Sequence, residues 1–170
     1  VEGFRPGFMD GLGAGYAKVR SINPWAVYCS VSGYGQDGPY SQMAGHDINY
    51  ISFAGALGLI GEQNGRPIIP LNLIADYAGG GLCGAVGILA ALMAREKTGT
   101  GQYVDIARSE GVLYMRSGLV SDVLSRGISA ERGGNRLNGG APYYNVYRTK
   151  DDKYFSIAAI EPWFWENLCR

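Results

Sequence analysis

The chain has 170 residues and no net charge at neutral pH, because 15 acidic side chains balance 15 basic ones. Hydrophobic residues make up 46% of the sequence and charged residues 18%, which allows a buried core and excludes a disordered chain. An uncharged chain has no general electrostatic attraction for nucleic acid or for an anionic membrane, so we expect neither as a partner.

The cysteine content predicts the cellular compartment. Cys29, Cys83 and Cys169 are odd in number and far apart, and the chain has a single histidine. This pattern fits neither a disulfide framework nor a zinc site, so we expect no metal and a reducing, cytoplasmic location. The longest apolar stretch, Leu82 to Met93, is too short to span a bilayer. The start at Val1 and the abrupt end at Arg170 suggest part of a longer protein.

The first third of the chain predicts a buried strand followed by a ligand-binding loop. A glycine-interrupted helix pattern covers residues 6–21 and ends before Pro24. Residues 26–32 form a short apolar run, typical of a parallel strand. The glycine-rich segment 33–39 is a loop, and loops that leave the carboxyl ends of parallel strands commonly carry ligands. A helix is predicted from His46 through Leu57.

A long helix is predicted over residues 72–96, with Asn72 as its N-cap and Gly99 as its stop. Glycines and alanines over residues 78–87 weaken the helix but allow another backbone to approach closely, so tight packing must compensate. A second buried strand follows at residues 101–107. Strand, helix and strand in this order predict a βαβ unit with two parallel strands.

The last third changes character. A helix is predicted over residues 109–126, and the polar, glycine-rich segment 131–140 is a linker or exposed loop. Alternating segments at residues 143–148 and 154–159 flank a charged turn and predict an antiparallel hairpin. A final helix then begins at Glu161-Pro162.

The fold class expected from this order is α/β. Residues 1–138 are predicted to be the central part of a large domain, with a partial Rossmann-like parallel sheet and long helices. Residues 139–170 are predicted to start a small α+β domain, with a β-hairpin followed by a helix.

His46 is the candidate proton carrier, because imidazole titrates near neutral pH. Gly45 just before it lets a ligand approach the backbone. A lone histidine is more often structural, and Asp76 and Glu161, each near a helix start, are individually explained by the helix dipole. Finding all three together favours a catalytic site. The remaining motif residues have ordinary alternatives: Asp47 and Asn49 as helix caps, and Arg5 as a surface residue or an anion ligand.

Several enzyme classes are disfavoured by missing motifs. No Gly-x-Gly-x-x-Gly opens a helix after a strand, and no Walker loop is present. No Gly-x-Ser-x-Gly elbow supports a serine hydrolase.

Ordered motifs along the whole chain suggest a family. They are Val1-Glu2-Gly3-Phe4-Arg5-Pro6-Gly7, Gly33-Tyr34-Gly35-Gln36-Asp37-Gly38-Pro39, Gly45-His46-Asp47-Ile48-Asn49-Tyr50, Pro70-Leu71-Asn72-Leu73-Ile74-Ala75-Asp76, Gly87-Ile88-Leu89-Ala90-Ala91-Leu92, Gly99-Thr100-Gly101-Gln102-Tyr103-Val104-Asp105, Gly139-Gly140-Ala141-Pro142-Tyr143-Tyr144 and Ala159-Ile160-Glu161-Pro162. Through these motifs the chain resembles the family III CoA-transferase superfamily (CaiB/BaiF type), and within it the α-methylacyl-CoA racemases.

The resemblance implies racemization of 2-methylacyl-CoA thioesters through an enolate-like intermediate. His46 and Asp76 become the two bases, and Glu161 orients the imidazole. Coenzyme A enters only as part of the acyl-CoA substrate, with no other cofactor. The family's homodimers interlock, which makes a second copy the expected partner. Substrate and CoA contacts fall on Gly45, Asp47, Ile48, Asn49, Tyr50 and Arg5, with the backbone N–H groups of the turn 45–47 expected to bind the thioester oxygen.

Two alternatives stay open. In the family's transferases the carboxylate at the position of Asp76 is a nucleophile, and an aromatic residue tends to replace His46, so the presence of His46 favours racemase. Relatives are much longer and often have a basic residue where this chain has Gly11, so the third possibility is a catalytically incomplete fragment.

Overall fold

The computed structural model describes residues 1–170, which form two compact units. The first unit comprises Val1–Ala56 and Pro70–Ser117, and the second comprises Leu57–Ile69 and Gly118–Arg170. The predicted division at residues 138/139 refers to the domains of longer family members and stays a prediction.

A parallel pair of strands forms the centre of the first unit. Strand β1 (Tyr28–Ser32) pairs with β2 (Tyr103–Ala107), with Cys29 opposite Val104 and Ser32 opposite Ala107. The two strands and their parallel pairing are confirmed, as is the mixed α/β fold class. The prediction that the second strand is buried is wrong, because only Ala107 of β2 is buried. On the other edge of β1, the amide of Glu2 donates to the Cys29 carbonyl and its carbonyl accepts from Val31, both at 2.9 Å. This pairing holds the N-terminal segment beside the carboxyl end of β1.

The predicted helix over residues 6–21 is wrong as a single element. The structure has α1 (Phe8–Gly11) and α2 (Tyr16–Ile22), separated by Gly13 with φ of +71°. A left-handed residue ends a right-handed helix, and glycine adopts that conformation without steric cost. The helix predicted to start at His46 is α3 (Asp47–Phe53), with His46 at its N-cap position.

The long helix between the strands is continuous but has two geometries. Residues Leu73–Leu82 form a π-helix, and α4 (Cys83–Thr98) follows directly. The predicted stop is confirmed, since Gly99 has φ of +69°. Asn72 occupies the predicted N-cap position, but its side chain caps no backbone N–H. Its amide instead donates to the Asp76 carboxylate at 3.4 Å.

The predicted close backbone approach occurs where the π-helix meets α5 (Arg108–Met115). A Cβ added at Gly79 would lie 2.8 Å from the Arg108 carbonyl oxygen, and one added at Gly111 would lie 2.6 Å from the Gly79 Cα. No side chain fits between the two backbones at this crossing. The crossing places Arg108, the first residue of α5, against the segment that contains Asp76.

The helix Leu73–Thr98 is 26 residues long and, by length and composition alone, could cross a membrane. The apolar stretch that was predicted to be too short, Leu82 to Met93, is only part of this helix. A helix of a folded protein core meets the same test, so this property does not establish a membrane segment. Four large apolar side chains are exposed at helical spacing from the end of the π-helix along α4: Leu82, Val86, Leu89 and Met93.

The second unit contains the predicted hairpin. Strands β3 (Tyr144–Arg148) and β4 (Tyr154–Ala158) are antiparallel, and α7 (Pro162–Leu168) starts at the predicted proline. A 3₁₀ turn, Leu57–Leu59, also belongs to this unit. The helix predicted over residues 109–126 is wrong as one element, because it is interrupted at Arg116 between α5 and α6 (Ser117–Arg126).

Burial in the first unit changes its expected response to alkaline pH. Burial raises the pKa of the Cys29 thiol and of the Tyr50 phenol, the latter partly opposed by the Arg108 charge. The folded state therefore keeps protons that the unfolded chain loses, at pKa values of about 8.5 and 10 respectively. This contribution to stability is complete below the unfolded pKa values and is lost as the pH rises through the folded ones.

We therefore expect the free energy of unfolding to fall progressively above about pH 8.5. Urea denaturation of the complete protein between pH 7 and 11 measures this. A free energy that stays constant, or rises, over this range would contradict the expectation.

Candidate active site around His46

A cavity of about 460 Å³ opens beside His46 in the first unit. The N-terminal segment, the end of β1 and the start of α3 surround it. Of the predicted site residues, it brings together five: Arg5, Gly45, His46, Asn49 and Tyr50. The basic side chains that line it are those of Arg5, His46 and Arg108. No carboxylate lines it, so the cavity favours an anionic ligand.

His46 is fixed through its backbone and leaves its ring exposed. The residue is extended, with φ of −130°, and its amide donates to the Asn49 Oδ1 atom at 3.0 Å. The Asn49 side chain therefore stabilises the start of α3, which is the capping role predicted for it beside substrate binding. Because the His46 amide is occupied, it is not a free donor for a thioester oxygen. The amides of Asp47 and Ile48, in the first turn of α3, have no partner within the helix.

Tyr50 holds the turn before His46 in place. Its side chain is 7% exposed, and its hydroxyl donates to the Gly45 carbonyl at 2.6 Å. The ring occupies the space where a Cβ on Gly33 or Gly45 would lie. These two glycines are thus required by close packing, and Tyr50 fixes the backbone at the edge of the cavity.

Asp47 points away from the cavity and towards the π-helix. It is 4% exposed, and its Oδ2 atom accepts from the amides of Ala75 at 2.7 Å and of Asp76 at 2.9 Å. A carboxylate in this position satisfies N–H groups at the start of a helix and favours its dipole. Asp47 caps this helix and not α3, the helix it was predicted to cap. Neither Asp47 nor Ile48 lines the cavity.

Asp76 is tied to the same region by two links. The Asp47 bond connects its backbone to the residue that follows His46. Its Oδ1 atom lies 3.3 Å from the Nε atom of Arg108, and Arg108 lines the His46 cavity. The Asp76 side chain is one third exposed. The two residues predicted as bases, thirty positions apart in sequence, are thus linked through Asp47 and Arg108, while Asp76 itself does not line the cavity.

Glu161 lies in the second unit. It is half-buried, occupies the N-cap position of α7 and has an extended backbone, with φ of −77° and ψ of 138°. Its carbonyl accepts from the Phe164 amide at 3.0 Å. Its pairing with the imidazole stays a prediction.

Arg108 was missed by the sequence analysis. It directly follows β2, at the same sheet edge as the loop that follows β1, and the buried amide of Ser109 donates to the Gly33 carbonyl across that edge at 3.1 Å. Ligand-binding residues commonly follow the carboxyl ends of parallel strands. The sequence signal for Arg108 is therefore its position directly after the second predicted strand.

Comparisons with known proteins identify the family of the chain. The model of CoA-transferase family III matches residues 1–170. The chain is 44% identical over 170 residues to the human alpha-methylacyl-CoA racemase, covering all of this chain and 44% of that protein. It is also 34% identical to the human succinyl-CoA:glutarate CoA-transferase, covering all of this chain and 38% of that protein.

A solved structure shares the fold. The crystal structure of a CAIB/BAIF family protein from Brucella suis superposes with a TM-score of 0.80 at 31% identity, covering 92% of this chain and 41% of that one. The chain thus spans less than half the length of the relatives that it matches. Its match to the family is nevertheless complete from end to end, and the chain belongs to CoA-transferase family III, an enzyme family with both racemases and CoA-transferases among its members.

Proposed function

We propose that this chain carries the catalytic groups of a racemase acting on 2-methylacyl-CoA thioesters. The supporting observation is the connection between His46 and Asp76, through Asp47 on one side and Arg108 on the other, around a cavity with cationic walls. Inversion of a carbon next to a thioester requires two such groups, one for each face. The human racemase, at 44% identity, adds support from the comparisons.

The reaction transfers one proton in each of two steps. One base removes the α-proton, and the electron pair of the C–H bond moves to the thioester oxygen, giving an enolate. The conjugate acid of the other base then donates a proton to the opposite face of the carbon. His46 and Asp76 exchange these roles according to which enantiomer is bound. The backbone N–H of Gly45, in the predicted turn 45–47 and on the cavity wall, is the proposed donor to the enolate oxygen.

The other parts of the proposal follow from the family. Arg5, on the cavity wall, is a contact for the phosphate groups of coenzyme A. Glu161 stabilises the protonated imidazole, and a second copy of the chain completes a homodimer. No cofactor is proposed beyond coenzyme A in the substrate.

Solvent exchange in D₂O tests the proposed reaction. The complete protein is mixed with one enantiomer of a 2-methylacyl-CoA, and deuterium at the α-carbon is followed by mass spectrometry alongside the stereochemistry. We expect inverted product that contains one deuterium. CoA transfer to added succinate without deuterium incorporation would instead identify a CoA-transferase with Asp76 as nucleophile, and the absence of both reactions would contradict catalysis altogether.

A further inference from the structure

Arg108 links the two proposed bases: it contacts Asp76, and it lines the same cavity as His46. Its Nε atom is 3.3 Å from Asp76 Oδ1. The two side chains are 23% and 34% exposed, so solvent screens this ion pair less than one on the open surface. The pair therefore lies where it can fix the orientation of the Asp76 carboxylate.

Two contacts fix the guanidinium group, and a glycine leaves room for the stem of the side chain. Its Nη1 atom donates to the Val31 carbonyl at 3.0 Å, at the end of β1. Its Cζ atom lies 5.9 Å from the centre of the Tyr50 ring. A Cβ at Gly80 would come within 3.1 Å of the arginine Cγ atom, so the glycine leaves room for the stem. A guanidinium held by these two contacts loses little further freedom when it pairs with a carboxylate.

We infer that Arg108 is a positioning residue for Asp76: through their ion pair it fixes the orientation of the carboxylate beside the cavity that contains His46. This inference rests on the proposed racemase function. A guanidinium is not deprotonated in proteins, so Arg108 neither gives nor takes the proton. Its constant charge stabilises Asp76 before proton removal and attracts the carboxylate back to the same orientation after the proton has left it.

The distinguishing test uses each enantiomer separately. With two bases, each enantiomer loses its proton to a different group, so damage to Asp76 alone slows exchange from one enantiomer only. We expect Arg108→Gln to reduce α-proton exchange from the Asp76-dependent enantiomer roughly 10- to 100-fold, mainly in kcat, the effect of losing a contact to a charged group. Exchange with retention from the other enantiomer should change less than about twofold, because His46 still works.

Arg95 offers a matched control. Its Nη1 atom donates to the Trp25 carbonyl at 3.1 Å and its Cζ atom lies 5.8 Å from the Trp25 ring centre, but it has no carboxylate partner. Arg95→Gln removes the same kinds of contact as Arg108→Gln, except the ion pair. We expect Arg95→Gln to leave both exchange rates near those of the unsubstituted protein.

The conservative variant Arg108→Lys separates charge from packing. It keeps a cation near Asp76, and we expect it to recover part of the lost exchange. If Arg108→Gln does not fold, Arg108→Lys replaces it in the comparison. Exchange from the Asp76-dependent enantiomer alone should then fall, by a smaller factor.

Two results would overturn the inference: an equal loss for both enantiomers in a folded variant, or unchanged exchange in all variants. The exchange rates of the variants are compared with those of unsubstituted protein that inverts its substrate. If the unsubstituted protein shows no exchange, the racemase proposal itself fails, and the two failures are thereby distinguished.

Discussion

Asp76→Asn is expected to lower the rate of inversion by about 10²–10⁴-fold, the usual contribution of one positioned acid or base. The amide has nearly the same shape as the carboxylate but cannot accept the α-proton. The backbone bond from Asp76 to Asp47 does not involve the substituted group, so the helix start should survive. Chiral analysis of the acyl-CoA product, with circular dichroism as the folding check, measures the effect.

The informative result is the pattern of exchange in D₂O. Asp76→Asn should abolish exchange from one enantiomer while retaining exchange from the other, and His46→Gln should give the reverse pattern. Two variants with opposite preferences would assign each base to one face of the substrate. If both variants lost exchange from the same enantiomer, the two-base scheme would be wrong.

A covalent CoA adduct on Asp76 would separate the two activities of the family. If Asp76 is a nucleophile, it attacks the acyl-CoA thioester to form an acyl anhydride and release CoA thiolate. The thiolate then attacks the aspartyl carbonyl and releases the carboxylate, leaving an enzyme-bound CoA thioester. Mass spectrometry of the unsubstituted protein after incubation with acyl-CoA detects this adduct. A racemase should show none, and Asp76→Asn serves as the control for unspecific labelling.

Gly111→Ala is expected to cause the largest loss of stability, about 3 kcal/mol, at the upper end of the range for overpacking. An alanine ordinarily stabilises a helix by about 1 kcal/mol relative to glycine. Here the added Cβ would lie 2.6 Å from the Cα atom of Gly79 and 2.8 Å from its carbonyl carbon. These are backbone atoms, so relief requires α5 and the π-helix to separate.

Thermal melting of the complete protein measures this loss, with a lower melting temperature of about 6–12 °C expected for a chain of this size. Gly81→Ala, in the π-helix that α5 crosses, is the matched control, because its Cβ would have only an ordinary contact, 3.6 Å from the Asp76 carbonyl oxygen. That variant should be as stable as the parent or slightly more so. Equal stability of Gly111→Ala and Gly81→Ala would show that the crossing can relax.

Local elements were largely predictable from the sequence, because the signals that produce them are local. The apolar runs that became β1 and β2, the alternation that became β3 and β4, and the stop at Gly99 each involve residues close in the chain. Where prediction failed, a single residue changed the element: Gly13 divides α1 from α2, and Arg116 divides α5 from α6.

The sequence by itself determined the family, the α/β fold class and the identities of His46 and Asp76 as candidates, since motif order and residue chemistry survive without coordinates. Only the tertiary structure decided how those candidates are connected. Asp47 reaches the amides of Ala75 and Asp76 across 28 and 29 residues, and Arg108 meets Asp76 because two glycine backbones cross. Such contacts depend on the packing of distant helices, which no local pattern of residues encodes.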